Sequence, residues 1–190
     1  MRKLIVQQWS TIDNIVAEED GGLSFVTAQS YNDTTDQGIK ASAMAFIDSV
    51  DTMIIGANTY AMSKDYWPVA KDQGEYGEKF NGLAKFVAST KLKEAPWGDF
   101  SPGTVTADPV ATVQGLKQQD GKDIMLWGSL TLMKAMFEAD LVDEVQMRIS
   151  QASRGKGTRL FTDARELRLL DARPFGNGVV LLRYDVQRKS

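Results

Sequence analysis

What most constrains this chain is the way short apolar runs pass into helical patterns through corners with no spacer. In Asp123 to Val145, "DIMLWGSLTLMKAMFEADLVDEV", the run Ile124 to Trp127 meets Gly128-Ser129 and a helical pattern begins at once. Ile54 to Tyr60, "IIGANTY", has the same grammar, and "FVASTKL" ends its apolar run in Ser89-Thr90. Strands that alternate with helices in this way imply a mainly parallel sheet covered on both faces.

The rest of the chain extends that pattern. Lys3 to Trp9 reads as a first strand, and residues 10 to 37 as a long polar connection with Gly21-Gly22 and "YNDTTDQG". Connections of that length inside a compact domain are usually functional or disordered. Ile39, Ala43, Phe46, Ile47 and Val50 recur at helical spacing. "TMIIG" reads as a buried strand, followed by a short helix over "NTYAMSKDYWP" with Asn58 or Thr59 as cap and Pro68 as stop. "AKFVAS" is a strand, "APWGDFSPG" a loop, Thr104 to Thr106 a short strand, and Pro109 to Gln118 a helix opened by proline. A strand over "DIMLWG" and a helix over Ser129 to Ala139 follow, then a strand over Val142 to Ile149. Leu167 to Ala172 and Val179 to Val186 flank the turn "RPFGNG", so the chain ends in an antiparallel ribbon at one edge.

Composition narrows the chemistry. With 190 residues the chain makes one domain, at most two small ones, and buries a core without staples. It has no cysteine and no histidine, which excludes disulfides, Cys/His metal sites and Ser-His-Asp or Cys-His catalysis. No metal site is expected. A net charge of −3 argues against a nucleic-acid partner, and no apolar run approaches the ~20 residues of a membrane span. "MRKLIVQQW" reads as a strand, not a signal peptide, and the cytoplasm is the expected location.

Each corner has a functional and a bland reading. A helix starting at a strand's carboxyl end points free N–H groups and partial positive charge at a ligand. Gly128 admits a close approach, and Ser129 either caps the helix or binds an oxygen, which suits a phosphate or pyrophosphate. Alone, such a corner is more often a plain βα turn with a serine cap. "SRGKGTRLF" groups Arg154, Lys156 and Arg159 around two glycines, as a phosphate grip or a solvated turn. Asp13 in "STIDNIVA" is either a carboxylate that orients or protonates a bound ring or part of an Asp-Asn turn, with Asn14 tolerating positive φ. Trp67 either walls a pocket or is a half-buried aromatic. Met125, Met133, Met136 and Phe137 are apolar surface for a second subunit or simply core.

Taken in order, these motifs resemble the reductase family related to dihydrofolate reductase. They look most like the C-terminal reductase domain of the bifunctional riboflavin-biosynthesis deaminase–reductase and its stand-alone relatives. The pieces that carry the likeness are "RKLIVQQWSTIDNIVA", "DTMIIGANTYAMSKDYWP", "KFVAST", "DIMLWGSLTL", "LVDEVQMRIS" and "GKGTRLF", which together span nearly the whole chain. The resemblance implies one domain over residues 1–190. Its fold class would be α/β, three-layer αβα: a dihydrofolate reductase-like, mostly parallel mixed sheet with a C-terminal antiparallel ribbon. It implies NADPH along the strand ends and often a homodimer. Gly56, Asn58 and Thr59 would then face cofactor phosphate, Ser89, Thr90 and Lys91 would lie by the adenosine side, and Gly128, Ser129, Leu130 and Thr131 would hold the pyrophosphate. Asp13 would sit beside nicotinamide and substrate, with Trp67 as a further substrate wall. Where the family has basic residues this chain has Ala57 and Thr90, with Lys91 adjacent, so NADH stays open beside NADPH. Asn14 stands for the turn glycine, and "ISQAS" for a proline-containing apolar run.

The resulting expectation is an NAD(P)H-dependent oxidoreductase. It would transfer hydride to a C=N or C=O bond of a small heterocyclic substrate of pterin or pyrimidine type, with the proton from Asp13 or solvent. The alternative is a non-catalytic nucleotide- or metabolite-binding module on the same fold, and a third reading holds a flavin at the same strand ends.

Overall fold

The computed structural model describes residues 1–27 and 38–188. Most of "YNDTTDQG" lies outside the described residues. Among these residues the elements are β1 (Leu4–Ser10), β2 (Ile15–Ala17), α1 (Gly38–Ser49), β3 (Val50–Gly56), α2 (Ala57–Ser63), α3 (Gly74–Gly82), β4 (Ala84–Ala88), β5 (Ala95–Trp97), β6 (Phe100–Thr106), α4 (Pro109–Lys117), β7 (Asp123–Leu126), α5 (Leu130–Glu138), β8 (Glu144–Ile149), β9 (Thr158–Arg159), β10 (Leu167–Pro174) and β11 (Val180–Val186). Hydrogen bonding orders nine strands as β10-β11-β8-β1-β7-β3-β4-β6-β5, and β2 pairs with β9 separately. The fold is the expected three-layer α/β arrangement with a mostly parallel sheet and an antiparallel C-terminal ribbon. No helix among the described residues is long and apolar enough to cross a membrane.

Contacts divide the chain into two units, Met1–Val6 with Ala43–Val142, and Gln7–Ser42 with Asp143–Ser190. In the first unit, β1, β7, β3, β4 and β6 pair in parallel, and β5 closes the edge antiparallel to β6. Ile5, Met53, Ile55, Val87 and Met125 share a core with Phe46 and Ile47 of α1, Tyr60 of α2 and Phe80 of α3. The neighbours of opposite parity, Leu4, Val6, Ile54, Ile124 and Leu126, are fully buried as well. Strands buried on both faces explain why these runs show no polar alternation. Met125, Met133, Met136 and Phe137 are all buried, so the plainer reading, core, holds for them.

Several local expectations need correction. α2 begins at Ala57, with Gly56 as a cap that makes no side-chain hydrogen bond, so neither Asn58 nor Thr59 caps it. α2 also ends at Ser63 rather than at Pro68, which lies in a 3-10 turn over Trp67–Val69. "APWGDFSPG" is not a loop but the β5–β6 hairpin, with Gly98 at φ 53° in its turn. Its prolines are tolerated because β5 is an edge strand and the β5–β6 register is irregular. Trp97 ties the hairpin down. It is buried, and its Nε1–H donates to Asn81 Oδ1 at 2.7 Å. α3, in a stretch assigned no element from the sequence, supplies that asparagine.

In the second unit, β8, β11 and β10 form the antiparallel ribbon. The imperfect alternation of β8 has a physical cause: Glu144, Gln146 and Arg148 are buried along with Val145 and Met147. Glu144 is matched by Arg183, whose Nε donates at 2.8 Å, and by Gln146, whose Nε2 donates at 2.9 Å. A small core joins Ile39, Phe175, Val179 and Leu181, with Trp9 against it. β2 and β9 were not foreseen; they cross the polar segment and the basic glycine loop.

Candidate functional site

In the first unit three parallel strands end side by side. Ile54 of β3 is paired with Leu126 of β7, and Gly56 of β3 with Ala88 of β4. The chain then turns at Gly56-Ala57, at Ser89-Thr90 and at Trp127-Gly128-Ser129. This is the carboxyl edge of a parallel sheet, where open α/β folds keep their ligands.

The first and third turns are locked together. Gly56 N–H donates to Gly128 O at 3.0 Å, and Trp127 N–H donates to Ile54 O at 3.0 Å. A Cβ on Gly56 would come within 2.5 Å of Ser129 Oγ and 3.1 Å of Ser129 N. Gly128 has φ 59° and a cis peptide bond to Ser129, and a Cβ on it would meet Thr59 Oγ1 at 2.8 Å. Glycine is required at both positions for close approach, and at Gly128 also for backbone conformation.

Ser129 caps α5, its Oγ accepting from Leu132 N–H at 3.4 Å and its carbonyl from Met133 N–H at 2.9 Å. Among the described residues no protein group accepts from the N–H groups of Ser129, Leu130 or Thr131. Gly128 through Leu130 are half-buried, and Thr131 is exposed. No acidic residue occupies the first turn of α5. These free donors at the positive end of a helix fit the diphosphate of a dinucleotide.

The structure thus brings Gly56, Thr59, Gly128 and Ser129 into contact, with Leu130 and Thr131 on the adjoining turn. Asn58 is exposed on α2. Ser89 follows β4, and its Oγ accepts from Lys91 N–H and Leu92 N–H, both at 3.1 Å, which shapes that turn and leaves Thr90 and Lys91 exposed. Trp67 lies outside these turns in sequence but packs edge-on against Trp127 of the third, with 6.1 Å between ring centroids. It is half-buried in an aromatic cluster with Phe80 (4.3 Å between centroids), Tyr66, Tyr76 and Trp127. Trp127, which immediately precedes Gly128, is half-buried at the end of β7 and packs against Phe80 of the same core.

Asp13 belongs to the second unit. Its carboxylate accepts from Thr11 Oγ1 at 2.5 Å, Gly155 N–H at 2.6 Å and Arg154 N–H at 3.1 Å. The Thr11 hydroxyl, then the Gly155 N–H, hold its pKa well below the usual carboxylate range. Asn14 beside it adopts φ 63°, the positive angle foreseen for this turn. Asp13 therefore pins the loop that carries Arg154 and Gly155. Arg154 is itself engaged, with Nε donating to Glu18 Oε1 at 2.5 Å and NH2 to Ser24 Oγ at 3.0 Å. The Ser24 hydroxyl, then Arg154, lower the Glu18 pKa to about 2. Glu18, Glu19, Asp20, Arg154 and Lys156 line an open pocket, so acidic groups match the cations of the basic glycine loop.

Comparison with known proteins shows the family and the fold. The family model of the RibD C-terminal domain matches residues 2–181. YyaP of Bacillus subtilis (strain 168) is 25% identical over 189 residues, covering 96% of this chain and 94% of its own. The crystal structure of a riboflavin biosynthesis protein from Shewanella sp. PV-4 superposes with a TM-score of 0.73 at 19% identity, covering 98% of this chain and 99% of that one. Dihydrofolate reductase of Schistosoma mansoni shares the fold at a TM-score of 0.59 and 12% identity, covering 98% and 99%. With the family pattern running through both units and nearly end to end, the chain belongs to the RibD C-terminal domain family.

Proposed function

We propose that the protein is an NAD(P)H-dependent reductase acting on a C=N or C=O bond of a small heterocycle of the pterin or pyrimidine kind. One observation carries the reading: among the described residues, three backbone N–H groups at the start of α5, those of Ser129, Leu130 and Thr131, have no protein acceptor. The family and the riboflavin-biosynthesis relative support it. A bound reduced nicotinamide supplies the hydride. The chain's own tasks are binding and alignment. The amides after Gly128 donate to the diphosphate, while Gly56 and Thr59 keep that turn in shape. Thr90 and Lys91 take the adenosine side. Lys91 offers a point charge to a 2′-phosphate without the fork of an arginine, and Ala57 offers none, so discrimination against NADH is weak.

Asp13 remains ionised at neutral pH and acts as an orienting carboxylate for its loop, and the proton comes from solvent. The reading takes residues 1–190 as one reductase domain in a homodimeric, cytoplasmic enzyme, and sedimentation velocity tests the dimer. The commitment of Asp13 to its own loop favours one alternative, a binding module without turnover. Quenching of tryptophan fluorescence on titration with NADPH and NADH tests the main reading. Saturable binding of at least one is expected, and no binding of either at millimolar concentration would overturn it. Binding with no oxidation of NADPH across a panel of oxidised pterins and pyrimidines would favour the module.

A further inference from the structure

β10 lies at one border of the nine-stranded order, and with 8 residues it is the longest strand among those described. An edge strand offers a row of N–H and C=O groups to any extended chain, and proteins that avoid such pairing keep their edges short, lysine-rich or covered. β10 carries no lysine, and six of its residues, including Leu169 and Leu170, are exposed. Among the described residues no backbone group pairs with its outer side.

One face of the ribbon is apolar. Leu167 and Leu169 of β10, Leu182 and Tyr184 of β11 and Ile149 of β8 fall on the same side of the pairing. None of the five is buried, and Leu169 is 54% exposed. A contiguous apolar strip that reaches an open edge marks an interaction surface.

The charges on the edge say what fits it. Leu169 pairs with Tyr184 and Asp171 with Arg183, so Leu170 is the extra residue of a bulge. Arg168 and Asp171 therefore lie on one face of β10, whereas in a regular strand three residues apart means opposite faces. Two copies of β10 paired antiparallel, about an axis between Leu169 and Leu170, set Arg168 of each across from Asp171 of the other. The exposed leucines meet at the centre. The strand is thus its own electrostatic complement, as a two-fold contact requires. Within the chain Arg168 meets Asp185 at 2.9 Å and Arg173 meets Asp171 at 3.6 Å, yet the Arg168 side chain stays 68% exposed. Exposed pairs of this kind hold their members weakly, so both groups are able to reach across the edge.

We propose that the β10 edge is the docking surface for a second copy of this chain, strand added to strand about a two-fold axis at Leu169-Leu170. The proposal gives a surface to the homodimer of the reading above and needs no nicotinamide site.

The test uses Arg168→Asp and Asp171→Arg, each alone and then mixed, followed by sedimentation velocity over a dilution series. Wild type is expected to dimerise. Each single variant is expected to dimerise roughly tenfold more weakly or worse, because symmetry makes one change place two like-charge pairs at the join. Mixing the two variants in equal amounts is expected to restore wild-type affinity, since every acidic position on one strand then faces a basic position on the other. A role of either side chain within its own chain would not be rescued by mixing. Hydrogen exchange of wild type is a second measurement, and it decides alone if either variant fails to fold. At the outward-facing amides of residues 168–172 exchange is expected to slow as concentration rises through the dissociation constant. Wild type that stays monomeric at millimolar concentration overturns the dimer and its surface, and leaves the reductase reading to the NADPH titration. A dimer whose exchange at residues 168–172 ignores concentration, single variants that dimerise as tightly as wild type, or folded variants that do not recover on mixing overturn the β10 surface alone. Species that keep growing with concentration mean head-to-tail pairing of unlike edges and overturn the two-fold arrangement.

Discussion

At the scale of single residues, the strand-end turns are defined by what they leave out. Gly56 and Gly128 approach each other's neighbours so closely that a methyl group on either meets Ser129 or Thr59. Gly128→Ala should lower stability by about 1–3 kcal/mol in urea unfolding, from positive φ and the Thr59 clash together. It should also weaken dinucleotide binding, because the free amides follow directly from that turn. Asp13 makes a different point. Its carboxylate is engaged by Thr11, Arg154 and Gly155, so Asp13→Asn should speed hydrogen exchange at the Gly155 amide by roughly tenfold. Because its folded pKa is lowered, protection of that amide is complete above the ordinary carboxylate range and is lost as pH falls through the lowered value. Exchange at Gly155 measured from neutral to strongly acidic pH checks the sign. That Asp13 anchors a loop far along the chain was not legible in the sequence, since its partners in that loop, the Arg154 and Gly155 N–H groups, lie more than a hundred positions away.

At the scale of elements, α5 shows why a corner can be read correctly and still underdetermine function. Ser129 caps the helix, as its position after a strand-ending glycine suggested, yet among the described residues three other N–H groups of the same turn have no protein acceptor. Ser129→Ala should cost about 1 kcal/mol in thermal or chemical unfolding, with faster exchange at Leu132 and a smaller loss of dinucleotide affinity than Gly128→Ala causes. The elements invisible from sequence share a physical character. α3 holds Gly74, Gly77 and Gly82 and shows little apolar periodicity; it is held by Phe80 in the core and by Asn81, which bonds Trp97 and the Trp67 carbonyl. β5 carries Pro96, and β2 and β9 are too short to show a period. Tertiary partners, not propensity, stabilise all of them.

At the scale of the whole molecule, one buried lysine should leave a mark on stability. Lys85 is 4% exposed in β4, its Nζ donating to Asn81 O at 2.5 Å and Leu83 O at 2.8 Å. Burial lowers its pKa from 10.5 to about 8. Below pH 8 both states carry the proton, and the folded state bears the full desolvation cost. Between about 8 and 10.5 the unfolded chain binds more protons, so stability rises with pH, by up to on the order of 3 kcal/mol, and then levels off. Urea unfolding of wild type between pH 7 and 10.5 should show this rise in excess of that in Lys85→Met.

The sequence by itself determined the order and type of the long elements, because both-face burial of β3 and β7 writes continuous apolar runs and the β–glycine–helix corners follow each run without a spacer. It also singled out the residues at those corners. Only the tertiary structure decided what each corner does: which amides stay free, that Asp13 is bound by its own loop, and that Trp67 packs in an aromatic cluster. Those properties depend on contacts between residues far apart in the chain, and no local period or spacing encodes whether a polar group meets its complement.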